Sequence, residues 1–195
     1  MKEIDMRRSI RKYKNQQIEK TLIEQIMNAA IQAPSAKNRQ PWRFLVLSKE
    51  KKEEFLVAMR CGIKQEEQDK KILPNSSHYI NAAKYTMEII EQAPTLILVI
   101  YDNGHSLYEV LSVEQKIYER ADIQSISASI QNMLLEATHL GIGSLWICDF
   151  YFAYDKIMEW LGNRGELIAA VALGYADECP KKRPRKSFDL IVEYW

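Results

Sequence analysis

The seven-residue run Thr95-Leu96-Ile97-Leu98-Val99-Ile100-Tyr101 constrains the fold more than any other stretch of the chain. It is short, rich in β-branched residues, and bounded by Pro94 on one side and Asp102-Asn103-Gly104 on the other, so it reads as a β-strand. Its apolar part is far too short to span a bilayer. Arg43–Leu47, Ser144–Cys148 and Leu167–Leu173 read as further strands, with Leu190–Tyr194 as a candidate last one. Helical patterns fall between them. Leu22, Ile23, Ile26, Met27 and Ala30 recur at helical spacing behind a Thr21–Glu24 capping box, which predicts a helix over 18–32 stopped by Ala33-Pro34. One exposed helix is expected within 49–71, another over 78–92, and a short one over 154–161. A long helix carries Ile123, Ile126, Ile130, Leu134, Ala137 and Leu140 on one face and is capped by Gly141. Met133 and Leu135 on its other face predict burial nearly all round. Residues 103–118 fit neither pattern cleanly. Helices alternating with strands predict an α/β or α+β class with a mixed sheet, as one domain over 1–195.

Charge and composition exclude several classes. Lys+Arg number 27 against 26 Asp+Glu, so the net charge is +1, and a nucleic-acid role would need a local basic patch. A hydrophobic fraction of 47% with 27% charged residues belongs to a globular protein rather than a disordered one. Cys61, Cys148 and Cys179 are odd in number, widely spaced and without a CxxC, so neither a disulfide framework nor a zinc site is indicated; Cys148, in an apolar strand, is expected in the core. His78, His105 and His139 show no metal-ligand spacing. The first residues, MKEIDMRRSIRKYK, lack the apolar stretch of a signal peptide. A soluble protein of the reducing cytoplasm is expected.

Three features remain. Residues 7–14 (RRSIRKYK) and 181–186 (KKRPRK) hold five cations each, so ten of the 27 positive charges sit at the two ends of the chain. They could be solvated tails, a nucleic-acid patch, or two halves of a pocket for a small dianion. Arginine suits the last because its planar fork binds phosphate oxygens bidentately, and Ser9 adds a hydroxyl donor. The second feature is the loop Ala33–Phe44, dense in small polar donors between a helix and a strand, where functional loops often lie. The third is Gly141-Ile142-Gly143-Ser144-Leu145-Trp146. It is not a G-x-G-x-x-G fingerprint, because its sixth position is Trp146. No nucleophile–base pair is evident, which favours a cofactor that carries the reaction while the protein binds and orients.

Taken in order, these segments resemble the nitroreductase family of flavin enzymes. The resemblance runs through Arg7–Tyr13, Ala33-Pro34-Ser35 to Asn38, Gln40-Pro41-Trp42 and Phe44, the helix Ala128–Leu140, Gly141–Ile147, Leu173-Gly174-Tyr175 and Lys182–Lys186. It implies an α+β sandwich with a central mixed sheet flanked by helices. It also implies a homodimer with two FMN sites at the interface, and a carboxy-terminal segment reaching the partner's sheet. It assigns Arg7, Ser9 and Arg11 to the FMN phosphate and ribityl chain, with Arg8 close by and Arg183 and Arg185 arriving from the other end. Pro34, Ser35, Ala36 and Asn38 would come from the second subunit. Ser144, Leu145 and Trp146 would line the isoalloxazine ring, partly through backbone groups. Residues 103–120 would form a lid, with Tyr108 and Tyr118 shaping the substrate pocket. The ring-lining Ser-Leu-Trp-Ile differs from the Pro-Glu-Gly of one large subgroup and resembles another branch.

The implied activity is hydride transfer from NAD(P)H through FMN to an electron-poor small-molecule acceptor, a nitroaromatic or quinone, in a ping-pong cycle. Dehalogenation or dehydrogenation on the same fold is the alternative within the enzymes, and a nucleic-acid-binding module using the two basic runs is the alternative outside them. The expectation is no metal, no nucleic acid and no membrane.

Overall fold

The computed structural model describes residues 2–68, 72–162 and 164–195. In chain order the elements are α1 (Lys2–Met6), α2 (Lys20–Ile31), β1 (Trp42–Val46), α3 (Lys49–Gln68), α4 (Ile80–Gln92), β2 (Thr95–Tyr101), α5 (Val113–His139), β3 (Gly143–Ile147), α6 (Tyr154–Leu161) and β4 (Glu166–Gly174). The strands form one sheet in the order β1-β2-β4-β3.

All seven residues of β2 are buried, because the strand is covered on both faces. Its alternate side chains enter two separate cores. Leu96, Leu98 and Ile100 join Phe55, Met59, Ile90 and Ile157 on the α3/α4/α6 side. Ile97, Val99 and Tyr101 join Ile26, Ile130, Met133 and Leu134 on the α2/α5 side. This two-residue alternation into two hydrophobic layers makes a helix–sheet–helix sandwich. β4 lies beside β2 in register, with a bulge opposite Val99 and Ile100.

The α+β class holds, while the four strands pair antiparallel throughout rather than as a mixed sheet. The parallel element is confined to a bridge between Ser9 and Ser144 on the outer edge of β3, because Tyr13 already turns the arm to bridge Ala176 in the antiparallel sense. Leu190–Tyr194 forms no strand; Phe188–Leu190 makes a short 3-10 turn, and Phe188, Leu190, Ile191, Tyr194 and Trp195 are exposed. The expected Thr21–Glu24 capping box also does not form, since the N-cap is Glu19, two residues before Thr21. A capping box closes instead at Ser112 and Gln115, which starts α5 ten residues before its first apolar stripe residue, Ile123. Residues 113–120 therefore belong to a helix, and the irregular segment is confined to 102–112. α5 buries one face, with Ile123 exposed and Leu135 half-buried, rather than its whole circumference. α3 is half-buried through Phe55, Leu56, Met59 and Ile63, and the last residues of the expected 49–71 block, 69–71, lie outside the described residues. Among the described residues, no helix is long and apolar enough to cross a membrane.

Candidate functional site

Residues 7–14 form an extended arm pinned by two buried side chains, Ile10 and Tyr13. The Tyr13 hydroxyl donates to the Ile10 carbonyl at 2.8 Å, and burial pushes its phenol well above the ordinary tyrosine range. The Ile10 amide donates to the Ser144 carbonyl at 3.0 Å, tying the arm to β3. Lys14 N–H to the Tyr175 carbonyl and Asp177 N–H to the Lys12 carbonyl, both 2.9 Å, tie it to the chain leaving β4. Glu178 then accepts from the Arg11 and Lys12 amides through Oε1, at 2.5 and 3.3 Å. With Ile10 and Tyr13 turned inward, Arg7, Arg8, Ser9 and Arg11 stay partly exposed beside 180–185.

The two basic runs meet there. A cleft of about 140 Å³ is lined by Arg7, Arg8, Ser9, Arg11, Lys181, Lys182, Arg183 and Arg185, with Ile4 and Pro180. Seven of these ten are cations and none is a carboxylate. Asp5 stands at the rim, its carboxyl held below the usual range by the Lys182 ammonium at 2.9 Å. Such an excess of guanidinium groups in a small concavity is an anion site in chemical terms.

Beside the cleft runs β3, an edge strand. Ser144 is 2% exposed and its Oγ has no hydrogen-bond partner; the partly buried Trp146 likewise leaves its Nε1 unpartnered. The Ser144 carbonyl points to the open edge, where Ile10 meets it, and the two-residue repeat aims the Trp146 backbone groups the same way. Leu145 is turned into the α3/α4/α6 core, so its side chain does not line this edge. Cys148, one residue past β3, is exposed rather than in the core, because the strand ends at Ile147.

The loop Pro34–Gln40 is strained. Lys37, Asn38 and Gln40 have φ of 52°, 53° and 48°, left-handed values that non-glycine residues adopt at a cost of about 1–3 kcal/mol each. The loop is held from α5. The Ala36 amide donates to Ser125 Oγ at 3.2 Å. Arg39 gives two bonds to Asp122 Oδ1, from Nε at 2.9 Å and Nη2 at 2.7 Å, and Asp122 Oδ2 accepts the Tyr101 hydroxyl at 2.8 Å. Burial and the Asp122 carboxylate raise the Tyr101 phenol, which keeps it a donor. Tyr118 lies under Arg39 and Lys37, at 5.4 and 5.9 Å from its ring centre. Sequence reasoning missed Asp122 and Arg39. The available signal was Asp122 and Ser125, polar groups one turn apart on the buried face of α5, with the exposed Tyr118 one turn before them.

Tyr108 does not share these partners. Its hydroxyl donates to Asp155 at 2.8 Å and its ring stands edge-on to Tyr154, with burial and Asp155 lifting the phenol to about 12. Tyr154 accepts the Leu107 amide at 3.1 Å and donates to Glu166 Oε2 at 3.1 Å, so segment 102–112 is fastened to α6 and to the first residue of β4.

Register shows how these parts stand within one chain. The arm and the cleft sit at the Gly143–Gly174 end of the sheet, whereas the loop leads into Trp42, opposite Tyr101, which is opposite Glu166. These ends are separated by the nine residues of β4, roughly 25–30 Å at 3.3 Å per residue. Arg7, Arg8, Ser9, Arg11, Arg183, Arg185, Ser144 and Trp146 are brought together; Pro34, Ser35, Ala36, Asn38 and Tyr118 form a second group, with Tyr108 near that same end.

The description of the nitroreductase family matches residues 4–175, nearly the whole chain. The chain belongs to the nitroreductase family. A protein of Archaeoglobus fulgidus, provisionally named an NADH dehydrogenase/NAD(P)H nitroreductase, is 34% identical over 181 residues, covering 90% of this chain and 84% of its own. A BluB-like flavoprotein of Clostridium difficile superposes with a TM-score of 0.79 at 28% identity, over 100% of this chain and 97% of that one. The FMN-dependent nitroreductase NfnB of Mycobacterium smegmatis, solved with NADPH, has a TM-score of 0.76 at 17% identity, over 100% and 96%. The chain is thus an oxidoreductase by family, and the match takes in the arm, the loop and β3. The basic segment 180–186 lies beyond the matched residues, and its place in the cleft comes from the pairing of residues 12–14 with 175–177.

Proposed function

We propose that this protein is an FMN-dependent enzyme that moves a hydride from NAD(P)H to an electron-poor acceptor, a nitroaromatic or quinone, by a ping-pong cycle. The observation that carries the reading is the cleft of seven cations beside the open edge of β3. The residues present fit the cofactor. Arg7, Arg8, Ser9, Arg11, Arg183 and Arg185 would hold the phosphate dianion, and the orphaned Ser144 Oγ and the Trp146 backbone would meet the polar rim of the ring. FMN, when bound, would carry the hydride between donor and acceptor, which take turns over one face. The protein's share is to bind, to orient and to exclude water.

Pro34, Ser35, Ala36, Asn38, Tyr118 and Tyr108 lie at the opposite end of the sheet, too far to touch the same mononucleotide. A homodimer in which one protomer's loop completes its partner's cleft reconciles the two groups. Exposed apolar side chains at Phe188, Leu190, Ile191 and Trp195 supply surface for such an assembly. A cleft of this size favours a small dianion over a polynucleotide, which needs an extended basic track with exposed aromatics. Exposed free thiols at Cys61, Cys148 and Cys179 suit a reducing cytoplasm.

The test is direct. The purified protein should be yellow, sediment as a dimer at low concentration, and oxidise NAD(P)H with a quinone or nitroaromatic in parallel-line kinetics. A colourless protein with no affinity for added FMN would defeat the reading. A flavin-loaded monomer would defeat the shared site alone, and turnover restricted to halogenated or saturated substrates would move the chemistry to dehalogenation or dehydrogenation.

A further inference from the structure

We propose that Asp122, acting through Arg39, is a positioning residue that holds the 35–40 loop in its flavin-contacting shape. The inference rests on the reading that this loop meets the cofactor. Arg39 is the residue between Asn38 and Gln40, both left-handed, with a third left-handed residue, Lys37, just before them. A chain of three such residues without glycine does not keep this conformation by local preference. Its local bonds join near neighbours and tie the loop to no other element: Asn38 N–H to the Ser35 carbonyl and Gln40 N–H to Ser35 Oγ, both 3.0 Å, Arg39 N–H to the Ala36 carbonyl at 3.1 Å, and Gln40 Nε2 to Asn38 Oδ1 at 3.2 Å.

The remaining restraint comes from one face of α5. Asp122 is 5% exposed, and both of its oxygens are engaged, one by the Arg39 guanidinium and the other by the Tyr101 hydroxyl. The carboxylate is therefore fixed to the end of β2 before it meets Arg39, and the arginine has one geometry available. Ser125, one turn along, takes the Ala36 amide, and Tyr118, one turn back, supports the Arg39 guanidinium face. Clamping position 39 leaves the neighbouring Asn38 and Gln40 exposed, with Ser35 and Ala36 half-buried, so the loop offers its small polar groups outward in a fixed arrangement. A buried carboxylate that merely stabilised α5 would not need its partner inserted between two strained residues.

Asp122→Asn tests this in the full-length protein, by amide exchange over residues 36–40 without FMN, by FMN affinity from fluorescence quenching, and by visible circular dichroism of the bound flavin. Exchange should quicken by roughly tenfold or more, FMN affinity should fall by roughly tenfold, and the dichroic band should change shape. Asp122→Glu should restore part of the affinity. Arg39→Gln, at a partly exposed position, should reproduce all three effects and carries the test if Asp122→Asn fails to fold. Combined with Asp122→Asn it should add little further loss, because the two remove one interaction. Faster loop exchange with unchanged affinity and dichroism would overturn the positioning role and leave the flavin reading standing. Unchanged loop exchange would overturn the clamp itself. A wild-type protein that binds no FMN would overturn both, and shows itself before any variant is made.

Discussion

Arg185→Ala separates a ligand-binding cluster from a structural one, because the two roles predict opposite results. Arg185 is exposed, and its only protein bonds among the described residues are weak ones from Nη1 to its own segment, the Arg183 carbonyl at 3.2 Å and the Pro184 carbonyl at 3.3 Å. Losing them costs the fold little; a surface change of this kind stays within about 0.5 kcal/mol. Meanwhile six other cations line the same cleft. Two like charges one Debye length apart, roughly 8 Å, repel by about 0.5 kcal/mol in water before screening and about 0.2 kcal/mol after it. Removing one cation should therefore leave the FMN-free protein as stable as before or slightly more so, within about 2 °C in Tm. Bound phosphate reverses the balance. A charge-assisted hydrogen bond contributes about 1.5–3 kcal/mol, so the Kd for FMN should rise by roughly 10- to 150-fold. Fluorescence titration of the FMN-free protein at two salt concentrations reads this directly, with riboflavin as the control that lacks the phosphate. The variant should bind riboflavin as the wild type does, and its FMN affinity should depend less on salt. Wild-type FMN affinity in the variant, or a Tm lowered by more than about 5 °C without ligand, would refute the reasoning.

Gly174→Ala would place a Cβ 2.6 Å from Pro94 Cδ and 2.6 Å from Tyr13 Cδ1, two rings that cannot give way, so a loss of about 1–3 kcal/mol is expected in thermal unfolding; an unchanged Tm would mean the arm is looser than drawn. Glu166 is buried with Oε1 unpartnered, and burial holds its carboxyl above the ordinary 4.5. The folded state then keeps a proton that the unfolded state releases, so stability from this group is present below about pH 4.5 and lost as pH rises through the folded value. Glu166→Gln should thus be more stable than wild type at pH 7, with the gap closing in acid, and a Tm series against pH that showed the reverse would reject this. Tyr108→Ala should change the ratio of kcat/KM between a small quinone and a bulky nitroaromatic by roughly tenfold if the side chain shapes the acceptor site. Equal loss for both acceptors, with a lowered Tm, would assign it to packing on Tyr154.

Much of the fold was legible because its signals are local. Thr95–Tyr101 has its strand boundaries written by Pro94 and by Asp102-Asn103-Gly104, and Tyr154–Leu161 its helical spacing. Gly141 takes the left-handed φ of 73° that a helix end favours. The basic runs were legible as a charge anomaly, since ten cations in two short segments stand out on a chain of net charge +1. Segment 102–112 was legible only as a departure from pattern, because its order comes from Tyr154 and Glu166, far along the chain.

Composition and periodicity by themselves thus narrowed the class to α/β or α+β and marked the core strands and the cations available to meet an anion, while the antiparallel sheet came only with strand pairing. Tertiary structure alone decided that those cations share one cleft. Residues 12–14 had to pair with 175–177, and Ile10 with Ser144, before Arg11 and Arg185 could line one cavity, and such pairing between distant segments leaves no trace in either one. The same holds for Asp122. On a helix otherwise read from its apolar stripe, a single buried carboxylate has no meaning until Arg39 and Tyr101 arrive from two other elements. Its charge becomes tolerable only there, because burial without partners would carry a desolvation penalty that those hydrogen bonds remove.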